Sequence, residues 1–93
     1  MSANALCHAW TVDDVYPHER LLLLAIADNV GSDQYATVTE AYLEDSALLP
    51  PPSLAIALRR LEDAGVIVVT PHGTGPRGAI YDIEMVGLEG DER

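Results

Sequence analysis

The amino-acid sequence predicts an α+β fold of three main helices followed by a C-terminal β-hairpin, and three observations carry that reading. Apolar residues recur at helical spacing in two stretches, Leu21, Leu24 and Ala25, and then Leu54, Leu58 and Leu61, as expected of helices that each cover one face. β-Branched and apolar residues crowd instead into Val66 to Thr70 and Ala79 to Val86, the composition of strands. Between those runs stands PHGTGPRG, with three glycines and two prolines, the residue types that reverse a chain between strands.

The N-terminal residues 1–16 hold Leu6, Trp10, Val12, Val15 and Tyr16 among short polar spacers, too apolar for a disordered tail. They are expected to pack on the domain or to form a dimer contact, with Trp10 as a core or lid residue. Pro17 opens the first main helix, because a proline at the first helical position gives up only an amide that has no partner there. Leu21, Leu24, Ala25 and Asp28 mark its repeat, and Leu22, Leu23, Ile26 and Ala27 widen the apolar face. Asn29 and Gly31 are stop signals. Tyr35 to Val38 is expected as a short strand.

A second helix starts near Val38, capped either by Thr37, which has Glu40 at capping-box spacing, or by Thr39. It is short and ends around Ser46 or Ala47, after which Leu48 and Leu49 are expected in the core. The triple proline fixes the start of the third helix, with Pro52 as its first helical residue, since a residue before proline is driven out of the α region. Gly65 is its left-handed C-cap. Residues 71–78 are read as a hairpin loop and 87–93, ending GDER, as an acidic tail.

Leu43 and Leu49 around the turn, Leu54, Leu58 and Leu61 in the following helix, and the closing phrase RRLEDAGVI from Arg59 to Ile67 together resemble the winged helix-turn-helix domain. Small bacterial, phage and archaeal regulators of that type end their recognition helix in a similar way. The resemblance covers residues 17–86. It implies a DNA-binding transcription regulator that lays the helix of residues 52–64 in the major groove of double-stranded DNA and touches DNA with a wing at 71–78. A dimer is expected because one module makes few contacts, and a reducing cytoplasm because Cys7 is a lone cysteine and the N-terminal residues lack a signal-peptide pattern. Carried onto this chain, the DNA-contacting candidates are Ser53, Ile56, Arg59 and Arg60 on the helix, and His72, Thr74 and Arg77 on the wing. The family usually has glycine in the helix-helix turn, where this chain has Ala47 and Leu48.

The charge works against that implication. Fifteen acidic residues oppose five arginines and no lysine, for a net charge of −10, and a polyanion repels such a surface at long range. Residues 53–81 differ, since Arg59, Arg60 and Arg77 there face only Glu62 and Asp63. That segment carries +1, which leaves −11 on the remainder. The competing expectation is therefore an acidic protein-protein interaction module, or a DNA mimic, in which exposed Ile56 and the Pro51–Pro52 start mark an interface. The two readings separate on whether Arg59, Arg60 and Arg77 share one uninterrupted positive surface.

Other chemistry finds little footing. Cys7 and His8 are sequence neighbours, and adjacent side chains do not face each other as nucleophile and base must. Cys7, His8, His18 and His72 lack metal-ligand spacing. No cofactor and no enzyme activity is expected. The longest apolar run, Leu21 to Ala27, is too short for a membrane span.

Overall fold

The computed structural model describes residues 3–87, and they form four helices and one sheet. The helices are α1 (Ala3–Thr11), α2 (Pro17–Asp28), α3 (Glu40–Ala47) and α4 (Pro51–Asp63). The strands are β1 (Tyr35–Thr39), β2 (Ile67–Gly75) and β3 (Gly78–Met85), joined antiparallel in the order β1-β3-β2. The α+β class is as the sequence predicts, with one helix more. Residues 88–93, most of the expected acidic tail, lie outside the described residues.

The additional helix is α1, in the segment read only as packing. Ala5 and Ala9 are fully buried and belong to the same core as α2. Two polar links fasten it. The Arg20 guanidinium donates to the Ala9 carbonyl at 2.6 Å, at the end of α1 where carbonyls have no helical partner. The His8 imidazole donates to the Val86 carbonyl at 3.0 Å, joining α1 to the end of the sheet.

The core gathers Leu22, Leu23 and Ile26 of α2, Leu43 of α3, Leu54, Leu58 and Leu61 of α4, and Val38, Ile67, Ile83 and Met85 of the sheet. On α2 the deeply buried face is thus Leu22, Leu23, Ile26 and Ala27. Of the repeat that the sequence offers first, Ala25 is buried too and Leu24 packs against the core, while Leu21 is 43% exposed and Asp28 is exposed. A helix apolar on most of its circumference has two faces that periodicity alone cannot rank. On β3 the inward residues are Tyr81, Ile83 and Met85. Burial raises the Tyr81 hydroxyl pKa, with help from Glu40 and Glu44.

Thr39 proves to be the N-cap of α3, its hydroxyl accepting from the Tyr42 amide at 3.1 Å. The end of α3 departs from expectation. Leu48 takes the left-handed conformation, φ 56° and ψ 43°, and is 82% exposed instead of entering the core. The backbone keeps the geometry that glycine favours even though the residue is a leucine. Leu49 does pack against the core.

Helix α4 begins at Pro51, one residue earlier than the sequence suggests, with extended Pro50 before it. Prolines then fill its first two positions, whose missing amides have no helical partners to lose. The steric clash before proline disfavours a helical Pro51 without forbidding it. At the other end the Gly65 amide bonds the Glu62 carbonyl and the Val66 amide bonds the Leu61 carbonyl, at 2.9 and 3.0 Å. This is a Schellman closure, and the left-handed φ of 77° at Gly65 permits it.

The β2–β3 hairpin is tighter than the loop of residues 71–78 read from sequence. Strands β2 and β3 pair up to Gly75 and Gly78, leaving Pro76 and Arg77 as the turn. Gly78 has φ 92°, and a Cβ there would stand 3.0 Å from the Glu40 carboxylate. Pro71 is accommodated because β2 is an edge strand and because a bulge follows it between Pro71 and Gly73. Glu62 accepts from the Val69 amide at 3.3 Å.

Leu48→Gly is expected to raise stability by up to about 1 kcal/mol, because the left-handed cost of an L-residue slightly outweighs the extra chain entropy glycine loses. An upward shift of the urea midpoint with an unchanged slope is the expected result. A lower midpoint would mean that the exposed leucine holds the turn by contacts of its own.

Candidate nucleic-acid interface

Helix α4 buries Leu54, Ala57, Leu58 and Leu61, and so turns Pro52, Ala55, Ile56, Arg59 and Asp63 outward. The first half of that outer face is apolar, and Ile56 is 63% exposed. Ser53 is only partly exposed. Apart from that partly exposed serine, the face offers base edges no polar side chain before Arg59.

Arg59 stands in solvent 3.8 Å from Asp63, one helical turn on. A pair so exposed contributes little to stability, yet it places a carboxylate beside the cation that would have met phosphate. Arg60 is held more firmly. Its Nε donates at 2.6 Å to Oε2 of Glu19 on α2, a carboxylate only 1% exposed, while Arg60 is 49% exposed. The other carboxylate oxygen of Glu19 accepts from the Tyr16 amide at 2.9 Å. The Arg60 guanidinium also lies 4.7 Å from the centre of the Tyr16 ring, which stacks on His18.

Burial by itself raises the Glu19 pKa. The hydrogen bonds from Arg60 and from the Tyr16 amide, with the charges of Arg60 and His18, more than offset it, so the carboxyl lies below the ordinary value of 4.5. Arg60 is correspondingly raised by Glu19. Arg60, one of the DNA-contacting candidates, is therefore engaged within the fold. Its side chain points back to fasten α4 to the start of α2.

On the hairpin, His72 and Thr74 are exposed. The His72 imidazole donates from Nδ1 to Oδ2 of Asp82 at 2.8 Å, and the Thr37 hydroxyl donates to Oδ1 at 2.6 Å. The Thr37 bond first and the His72 bond second hold the Asp82 pKa below its usual value. Asp82 thus links residues from all three strands and takes up the hairpin histidine. Arg77, at the turn, has no ion pair or hydrogen bond among the described residues.

The structure thus places Arg59 beside Asp63, Arg60 on Glu19 and His72 on Asp82, leaving Arg77 as the one unengaged cation of the sequence-predicted set. The sequence reading missed Glu19. Its position three residues after Tyr16 and two after Pro17 signals a local helix-start bond, but nothing local announces a partner 41 positions away. Among the described residues no three His, Cys, Asp or Glu side chains gather as a metal ion would require, and no helix is long and apolar enough to cross a membrane. Comparison with protein-family models, curated proteins and solved structures finds no match.

Arg60→Ala is expected to lower Tm by about 4 to 8 °C, because it leaves the Glu19 carboxylate buried without its cation. Arg59→Ala should move Tm by less than about 2 °C. The sign of the pH dependence follows from the lowered Glu19 pKa. As pH falls, the unfolded chain takes up this proton first, so the stabilisation is complete above 4.5 and disappears as pH falls through the folded value. The gap between wild type and Arg60→Ala in urea denaturation should therefore be wide at neutral pH and narrow in the acid range. A gap independent of pH would assign the loss to packing.

Proposed function

We propose that this chain is a winged helix-turn-helix module that binds a protein partner through the outward face of α4, and that it does not read DNA bases with that helix. The observation that carries the reading is the composition of that face. It runs Pro52, Ala55 and Ile56 before reaching Arg59, which is already matched by Asp63. Major-groove recognition needs hydrogen-bonding side chains at base edges in the first turns of the helix, and this helix presents hydrocarbon there. An exposed isoleucine with proline and alanine around it suits an apolar contact. Glu62 and Asp63 at the far end, with Leu48 exposed in the preceding turn, fit a partner whose own apolar patch is flanked by basic residues.

One observation favours a second reading. Among the described residues Arg77 is an unpaired guanidinium at a tight turn, with Thr74 exposed on the same hairpin, and an arginine so placed suits a minor groove or a phosphate. In that reading the module is a DNA-binding regulator that holds DNA mainly by its wing. A dimer would then be needed to multiply few contacts.

Fluorescence anisotropy with mixed-sequence duplex DNA, stepped from low to physiological salt, separates the two. The protein-binding reading expects no saturable binding at any salt. Salt-dependent binding abolished by Arg77→Ala would overturn it in favour of the wing-led DNA regulator. Affinity capture from the source lysate should recover a partner with wild type and lose it with Ile56→Asp, whose site is exposed and whose folding should be intact.

A further inference from the structure

Away from α4, an open groove of about 510 Å³ runs between α1, α2 and α3. Its walls are Leu6 and Trp10 of α1, Leu21 and Leu24 of α2 and Tyr42 of α3, with Asp28 among the lining residues at the end of α2. Its volume is within the range that receives buried side chains or small ligands. The indole of Trp10 is 64% exposed and Leu21 43% exposed, so the folded chain leaves much of both uncovered. The wall at Tyr42 is preformed. The Asn29 amide, anchored on the Ala25 carbonyl, donates to the Tyr42 hydroxyl, both at 2.9 Å.

The geometry points to this groove as a docking site for a cationic amphipathic helix of another protein. Two features of shape support it. Leu6 and Trp10 are four apart on one helix and Leu21, Leu24 and Asp28 three and seven apart on the next, so each helix offers a linear row. A partner helix laid between such rows meets them with its own residues at the same spacing. The apolar rows call for leucine-like or aromatic anchors.

Charge decides the rest of the partner. No basic side chain lines the groove. Asp28 is exposed and has no ion pair or hydrogen bond among the described residues. It is the last residue of α2, where the helix terminus itself carries negative partial charge. The carboxylate and the helix end therefore draw a cation to the same end of the groove. A chain of net charge −10 adds attraction at long range. The same charge argues against a second copy of this chain, which would bring ten further negative charges to the contact. This site is independent of α4, and its failure would leave the proposed use of α4 standing.

Trp10 is the only tryptophan, so its emission reports on the groove directly. The probe is a designed amphipathic helix with a leucine and alanine apolar face and a lysine polar face, compared with the same peptide carrying glutamate in place of lysine. The lysine peptide should give a saturable blue shift with a Kd on the order of 10 μM, and the glutamate peptide none. Asp28→Asn should weaken binding about 3-fold and flatten its salt dependence. Leu21→Asp should weaken it at least about 10-fold with an unchanged circular dichroism spectrum. If Leu21→Asp does not fold, the Asp28→Asn result stands as the test. No shift with the lysine peptide, equal shifts with both peptides, or affinity unchanged in Asp28→Asn would overturn the assignment. So would a blue shift that grows with protein concentration alone, which would place a second copy in the groove.

Discussion

The constraint on which the structure depends is the covering of α2. Seven consecutive apolar residues from Leu21 to Ala27 leave this helix no wide polar face, and water-exposed hydrocarbon costs roughly 25 cal/mol for each Å². Helix α3, β1 and the rest of the core pack against α2, and Leu22, Leu23 and Ile26 are buried among them. Helix α1 packs on α2 as well, and the residues it buries fully are two alanines, Ala5 and Ala9. Small residues cover less area than large ones. Leu21 and Leu24 are consequently left lining a groove in place of a closed core.

The second constraint is electrostatic. Carboxylates outnumber arginines three to one, and among the described residues Arg59 and Arg60 each meet one, whereas Arg20 bonds a backbone carbonyl and Arg77 has no ion pair. Three of the expected contact residues are engaged in this way, but the engagements differ in kind. Arg59 and Asp63 form a loose surface pair. Arg60 compensates a carboxylate that is otherwise shut away from water, and His72 joins the Asp82 link across the sheet. Only the second is a fastening between elements distant in sequence, and it ties the end of the exposed α4 helix to the start of the helix at the centre of the core.

The sheet shows how an edge strand can support a projecting hairpin without pairing with a neighbour. Pro71 lacks a donor, the bulge after it breaks the register, and Glu62 accepts from the Val69 amide. Each interrupts the regular row of donors that an open edge would present. These devices lie at the base and middle of β2, so the turn at Pro76 and Arg77 is carried on paired strands and not on a slack loop.

What the sequence by itself determined is whatever chemistry within a few residues decides. The prolines at Pro17 and Pro50 to Pro52 and Gly65 set the ends of α2 and α4 to within about one residue, because caps and backbone restrictions act locally, whereas the choice between Thr37 and Thr39 as the cap of α3 fell to the structure. The buried face of α4 was equally legible, since its leucines form a single stripe and the opposite face is mixed. Tertiary structure alone decided which face of α2 goes inward, because both were apolar. It decided that Leu48 points to solvent, because the left-handed turn directs the side chain away from the core whatever its hydrophobicity. It also decided that Arg60 serves the fold, because its partner Glu19 is 41 positions away and an ion pair at that distance depends on how two helices are set against one core.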